Sequence, residues 1–300
     1  MYPFQTLFMI NYYELVVNNP EYFKQFSCKD LLFLNYDCPV KVKKASKWSE
    51  HNYIYYVLSG KKTLHTLDQS ITLTQGCIAL IKKGACIVEQ HFEEPFCIVV
   101  FIMPDSFIRS FLRDYFPAEK AKPDKSSPII SIYDDEMIRS FYQSILPYFA
   151  SADNVPEEIL ELKFKELLLH LLHNPANEDL RNHFHFINEN PVTPIKHIME
   201  TNFAYNLRIE AYAKMTNRSV SSFKRDFQLL FHTTPGRWLI EKKLENAKKM
   251  LLQSEYTISD VAFDSGFENT AHFCRLFKQK NGLTPMEYRK KATQRLLQAV

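Results

Sequence analysis

Three hundred residues, with 46% apolar and 24% charged side chains, suffice for about two globular domains, each with a core of its own. No uninterrupted apolar run reads as a membrane span, and the apolar start (YPFQTLFMINYYELV) lacks the preceding positive charge and small-residue cleavage site of a secretory leader, so a cytoplasmic chain with no membrane partner is expected. The net charge of +3 is unevenly spread: residues 1–150 hold 16 Lys+Arg against 16 Asp+Glu, residues 151–190 hold 3 against 8, and residues 191–300 hold 18 against 10. The surplus in the last third is what phosphate binding needs, although a solvated basic helix face has the same charge signature.

Along the chain, short β-prone runs come first, at 31–36, 52–58, 62–67, 70–73, 78–81, 86–90 and 96–103. Ser59-Gly60, Asp68-Gln69, Gln75-Gly76 and Lys83-Gly84 punctuate them. Regular short strands of this kind predict a sandwich or jelly-roll barrel. After Pro104 the period becomes helical: a helix at 105–116, a Lys/Pro/Ser connection over 117–131, then amphipathic helices at 134–150 and 156–173. In the last of these, Ile159, Leu162, Phe164, Leu167, Leu168, Leu171 and Leu172 form a stripe wider than a helix covering a barrel edge needs. It suits a homodimer contact or packing on the chain's own barrel. Residues 174–190 read as a polar, acidic connection with a short helix around 180–187, and Pro191 marks a boundary.

Aromatic residues crowd the β-rich part. Trp48, Tyr53, Tyr55, Tyr56 and Phe92, with His65, are candidate lining for a pocket that takes an apolar small molecule with one polar group. Core packing is the commoner use of such side chains, Phe96 included. A metal-binding barrel needs a tight His-x-His joined by a Glu and a later His, because the ligands must converge from adjacent strands. His51, His65 and His91 are scattered; His183 and His185 have the spacing but fall in the polar connection. No Gly-rich phosphate loop, nucleophile elbow or Cys/His pair is present, and the six cysteines (Cys28, Cys38, Cys77, Cys86, Cys97, Cys274) form no C-x-x-C. They read as reduced thiols. No catalysis, metal or cofactor is expected.

The last third carries a repeat. Ile209 and Ala213 recur as Ile258 and Ala262, at an offset of 49. Phe223, Arg225, Phe227, Thr234-Pro235 and Trp238 recur as Phe273, Arg275, Phe277, Thr284-Pro285 and Tyr288, at an offset of 50. Each copy reads as a helix, a turn and a second helix whose two Phe anchors, at i and i+4, face inward and leave polar residues outward. Gly266 supplies the positive φ of the second turn. Between the copies, PGRWLIEKKLENAKKMLLQ is a rod of strong helix formers, 19 residues or roughly 28 Å. Major-groove faces repeat every ~34 Å, so one chain can present two helices to two successive groove segments.

The landmarks Gly266-Phe267, Phe273-x-x-x-Phe277-Lys278, Gly282-x-Thr284-Pro285 and Tyr288-Arg289 resemble the signature of AraC/XylS-type transcription regulators, over about residues 193–290. The resemblance implies an α+β chain: a cupin-like regulatory domain over 1–175 with flanking helices that can dimerise, a linker over 176–191, and a double helix-turn-helix domain over 192–295. It implies promoter DNA and RNA polymerase as partners, activation more than repression, and control by a small-molecule effector or by a protein anti-activator. A barrel enzyme fused to a DNA-binding domain is the remaining alternative.

By that analogy the base-contacting residues are Ser221, Ser222, Lys224 and Arg225 in the first copy and Asn269, Thr270, His272 and Arg275 in the second. Lys278, Lys280 and Arg289 are assigned to phosphate, which positions without reading sequence. Lys242, Lys243, Lys248 and Lys249 on the joining helix read as a solvated face. The first copy departs from the pattern twice: Asn217 stands in place of Gly266, and His232 in place of Gly282, which leaves the cap of the first recognition helix open.

Overall fold

The computed structural model describes residues 9–39, 42–117, 126–150, 155–253 and 256–298. They belong to two compact units, Met1–Pro194 and Ile195–Val300.

The first unit opens with β1 (Ile10–Asn11) and α1 (Tyr12–Val17), then runs through β2 (Lys24–Cys28), β3 (Leu31–Asp37), β4 (Lys44–Ser49), β5 (Asn52–Ser59), β6 (Lys61–His65), β7 (Ser70–Thr74), β8 (Ile78–Ile81), β9 (Gly84–Gln90) and β10 (Cys97–Met103). Helix α2 (Asp105–Tyr115), strand β11 (Ile129–Ile132) and helices α3 (Glu136–Ala150), α4 (Glu157–His173) and α5 (Glu178–Glu189) follow. Two sheets result, ordered β1-β4-β9-β6-β7 and β11-β8-β5-β10-β3-β2. Every pairing is antiparallel except β1 with β4.

The six-stranded sheet is buried on both faces, which explains runs such as CIVVFIM. Leu34, Tyr36, Tyr53, Tyr55, Ile98 and Val100 join Leu64, Leu73, Cys86 and Val88 of the five-stranded sheet in one core. The alternate residues Phe33, Ile54, Val99 and Phe101 form a second core with Phe111 of α2, Tyr142 and Ile145 of α3, Phe164 and Leu168 of α4, and Leu180 and Phe184 of α5. This is the period-2 alternation of strands, used twice.

Four strands escape the sequence reading for reasons visible in their environments. In β4 the inward position is Lys47, 7% exposed, so polar alternation hides the strand. β2 is an edge strand and β1 has two residues. Most of the connection expected over 117–131 lies outside the described residues, but its end is β11, paired with β8 from Ile129 against Ile81 to Ile132 against Ile78.

The stripe on α4 goes mainly into the second core: Phe164, Leu167, Leu168, Leu171 and Leu172 are fully buried, while Ile159 (39%) and Leu162 (66%) stay on the surface. Its width reflects a helix that covers a sheet while α3 and α5 flank it. The expected linker over 176–191 is also a packed element. Helix α5 buries Leu180, His183, Phe184, His185 and Ile187. His183 and His185, read as lying in a polar connection, are therefore 3% and 2% exposed, with His183 Nε2 3.2 Å from Asn52 Oδ1. Asn52 Nδ2 in turn donates to Asp105 at 3.0 Å, and the buried Lys83 ammonium joins Asp105 to Thr193. The polar letters of 176–191 serve this buried network and the outer face of α5.

The second unit consists of α6 (Ile195–Asn202), α7 (Ile209–Met215), α8 (Val220–Phe231), α9 (Pro235–Leu251), α10 (Ile258–Asp264), α11 (Thr270–Asn281) and α12 (Pro285–Gln298). The repeat is literal in three dimensions. The N–H of Arg218 donates to the Ala213 carbonyl at 2.9 Å, and 49 residues on, the N–H of Phe267 donates to the Ala262 carbonyl, also at 2.9 Å. Asn217 adopts φ +54° and Gly266 φ +91° in the matching turns. His232, which stands in place of the glycine, closes α8 in the left-handed region (φ +54°) as Gly282 closes α11 (φ +74°).

Candidate nucleic-acid interface

Helices α8 and α11 are anchored alike. Phe223, Phe227, Phe273 and Phe277 are all fully buried. This rotation leaves Ser221, Lys224 and Arg225 exposed on α8, and Asn269, His272 and Arg275 exposed at and along α11, with Ser222 and Thr270 half-buried. The first turns, which enter a groove in a helix-turn-helix, are capped locally. Ser219 Oγ accepts the N–H of Ser222 at 3.2 Å, and Asn269 Oδ1 accepts those of Ala271 and His272 at 2.8 and 3.2 Å. The carbonyl of Asn269 thus has a structural use that the sequence reading did not assign. Thr257 with Asp260 and Thr284 with Glu287 form reciprocal caps on α10 and α12.

The two helices differ electrostatically. On α8, Asp226 receives Arg218 Nε at 3.2 Å and Arg225 Nε at 3.1 Å, and Ser222 Oγ donates to it at 3.4 Å. The two guanidiniums hold the Asp226 carboxyl below its ordinary pKa, the Arg218 hydrogen bond contributing most. Arg225 and Ser222 are therefore engaged within their own helix. On α11, Arg275 has no hydrogen bond or ion pair among the described residues, and its guanidinium is fully available.

The three residues assigned to phosphate separate. Lys278 is exposed with no ion pair among the described residues. Lys280 lies 3.5 Å from Glu241 of α9, an exposed pair of little energetic weight. Arg289 is half-buried and donates Nε to the Leu251 carbonyl at 3.1 Å, closing the end of α9. It is a helix-capping residue here, since its guanidinium satisfies a carbonyl left over by the last turn of α9. On α9 itself Lys242 pairs with Glu245 at 3.1 Å, as a solvated face would, but Lys243 does not conform. Its ammonium donates to the Gly266 carbonyl at 2.6 Å and to Asn206 Oδ1 at 3.0 Å.

In the barrel, the proposed pocket lining is not brought together. Tyr56 faces the helices and stacks on Tyr142 at 3.8 Å. His65 bonds Ser70 and Glu89 near the surface, Phe92 is 56% exposed, and Trp48 is buried away from the cavity. Tyr55 alone of the six lines the barrel cavity, with Tyr53 one ring away at 5.1 Å. That cavity, about 50 Å³, is bordered by Tyr12, Phe23, Tyr36, Tyr55, Lys47 and Lys62. Lys47 bonds the Tyr55 hydroxyl and lies 4.2–4.8 Å from the ring centroids of Tyr12, Tyr53 and Tyr55. Burial pushes its pKa down to about 8. Lys62, 4% exposed, donates to Cys38 Sγ at 3.2 Å and sits over Phe96. Neither ammonium has a carboxylate partner among the described residues. Sequence reasoning, which searched for aromatic and histidine residues, missed both lysines; a lysine amid β-prone runs was the available signal.

Two capped helix-turn-helix units, each presenting a polar helix face from an aromatic core, define a sequence-reading DNA-binding protein. Residues 212–291 match a family model described as a helix-turn-helix domain, and residues 52–183 match one described as the ExsA N-terminal regulatory domain. Relatives include the virulence regulon transcriptional activator VirF of Yersinia enterocolitica (22% identical over 238 residues, 79% of this chain and 88% of VirF) and the transcriptional regulator ExsA of Pseudomonas aeruginosa (20% over 239 residues, 79% and 85%). The transcriptional activator RhaS of an Enterobacter is 25% identical over 252 residues, 80% of this chain and 87% of its own length. Among solved structures, apo ToxT of Vibrio cholerae aligns over 87% of this chain and 97% of that one, at 15% identity and a TM-score of 0.42. The chain belongs to the AraC/XylS-type transcription regulators.

Proposed function

We propose that this protein is a cytoplasmic activator that reads promoter DNA with α8 and α11 in two successive major-groove segments, the base contacts falling on Ser221, Ser222, Lys224 and Arg225 and on Asn269, Thr270, His272 and Arg275, and that it recruits RNA polymerase. The observation that carries it is the matched pair of outward faces opposite Phe223/Phe227 and Phe273/Phe277. Activators such as VirF and RhaS support the sign. Within this reading α11 is the stronger reader, since Arg275 is unengaged among the described residues while Arg225 must leave Asp226 to reach a base. Lys278 is the principal phosphate contact, Lys280 a secondary one, and Arg289 holds α9. The test selects duplexes from a random pool with the full chain and footprints them. Protection of two segments one turn apart is expected; a single protected segment, or no enrichment, overturns the reading.

A second observation favours a regulatory role for the whole first unit, through Pro194. Two buried ammoniums with no carboxylate partner among the described residues, Lys47 among tyrosine rings and Lys62 over Phe96, are costly unless an anion arrives. The cavity fits the head group of a small apolar anion, and we infer that such a molecule is the effector. Titrating the full chain with straight-chain carboxylates of increasing length, beside Lys47→Met and Lys62→Met, tests this. Saturable binding lost in both variants is expected, while binding indifferent to both lysines rules it out and leaves control by a protein partner. A homodimer through the exposed Ile159 and Leu162 of α4 completes the proposal.

A further inference from the structure

Three observations meet at the turn between α10 and α11. A Cβ on Gly266 would lie 2.3 Å from the carbonyl oxygen of Ala204, so the α6–α7 connection rests directly on this glycine. Lys243, from the middle of α9, donates to the Gly266 carbonyl and to Asn206 Oδ1 of that same connection. Its ammonium also lies 5.9 Å from the Phe267 ring, and burial pushes its pKa down to about 8. The matching turn of the first copy, at Asn217, is exposed. One lysine on the joining helix thus ties the entry of the first helix-turn-helix to the turn of the second.

We propose that Lys243 is a positioning residue that holds the two recognition helices at one fixed separation and angle, and so sets the spacing of the two half-sites this protein accepts. The physical need is plain. A joining helix fixes distance along its own axis but leaves each flanking unit free to pivot about its ends. A cross-link from the middle of the rod to both units removes that freedom before DNA arrives, and binding then costs less ordering. A charged donor with two acceptors does this without bulk, and the Gly266–Ala204 approach fixes the distance across which it reaches.

The proposal rests on the reading of α8 and α11 as DNA-contacting helices only in its second arm. In the first, fluorophores are placed by unnatural amino acids at the exposed positions Gln228 and Gln279 of the full chain, and the inter-helix distance distribution is measured without DNA. Lys243→Met, which keeps the stem, is expected to broaden it, and Lys243→Arg to restore much of the width. In the second arm, the best duplex selected from a random pool is compared with versions whose half-sites are one base pair closer or farther. Lys243→Met should lose about tenfold at the selected spacing and stay within about twofold on the shifted duplexes. An unchanged distribution with unchanged spacing preference overturns the clamp, as does an equal loss on every duplex, which marks a general cation contact. Should Lys243→Met fail to fold, Asn206→Ala removes one acceptor and its distance distribution decides. A wild-type chain that selects no duplex overturns the DNA reading, while the distance measurement still judges the clamp.

Discussion

Phe277 meets Tyr288 edge to face, with ring centroids 5.5 Å apart at 78°, and 50 residues earlier Phe227 meets Trp238 at 6.1 Å and 83°. The same joint, between a recognition helix and the helix that follows it, is built twice from different aromatics. Whatever each copy has changed around that joint is where the two readers differ.

The first such change is charge. Arg275→Ala is expected to cut the preference for the selected site over random duplex by about 1–3 kcal/mol, the worth of a good bidentate base contact. Arg225→Ala should cost less, because Asp226 already holds that guanidinium. Lys278→Ala should weaken all duplexes alike and lower the salt slope by about one. Competition binding at several salt concentrations separates these outcomes; an Arg275→Ala effect equal on every duplex defeats the base-contact assignment.

The second change is backbone. Gly282 has φ +74° and open space around a would-be Cβ, whereas Gly266 combines φ +91° with the Ala204 carbonyl at 2.3 Å. Gly282→Ala should therefore cost about 1 kcal/mol, the left-handed strain alone, and Gly266→Ala about 2–5 kcal/mol by adding overpacking. Urea unfolding of the two variants checks this, and equal losses contradict the close approach.

Within the first unit, Phe164→Ala should destabilise by about 3–5 kcal/mol, since Phe164 is fully buried against Phe33, Phe101 and Phe107. Leu162→Ser, on the exposed side of α4, should change stability by less than about 0.5 kcal/mol. Sedimentation of the same variant tests the dimer: dissociation is expected, and an unaltered dimer places the contact elsewhere.

Lys47 makes stability depend on alkaline pH. Its folded-state pKa of about 8 lies below its ordinary 10.5, so on raising the pH the folded chain sheds this proton first. Between those values the unfolded chain holds more protons, and stability climbs with pH; below them both states are protonated and the slope vanishes. The full displacement corresponds to roughly 3 kcal/mol. Urea midpoints of wild type and Lys47→Met at about pH 7.5 and about pH 10 check it, with the variant expected to lack this part of the rise; parallel curves exclude it.

The duplicated module was legible in sequence because its signal is local and periodic. Aromatic anchors four residues apart, Thr-Pro caps and a glycine turn each act within a few residues, and repetition at a fixed offset multiplies their specificity. Seven strands of the barrel were legible for the same reason, as apolar alternation bounded by turns. β4 was not, because Lys47 faces inward where a strand pattern demands an apolar residue. Helix α5 was legible only in its middle, around 180–187, and its burial was not, because His183 is satisfied by Asn52, 131 positions away.

The chain of letters alone determined the two helix-turn-helix units, the joining helix and the β-rich first half, since short-range periodicity, capping and turn chemistry are properties of neighbours in sequence. Tertiary structure decided which polar residues are available. It occupied Arg225 with Asp226 and Arg289 with the end of α9, buried Lys47 and Lys62 in the barrel, and drew the half-buried Lys243 across to span Asn206 and Gly266. Apart from the pair of neighbours Arg225 and Asp226, whose geometry helix α8 and Arg218 set, those outcomes depend on hydrogen bonds and desolvation between residues distant in the chain, and no local pattern encodes them.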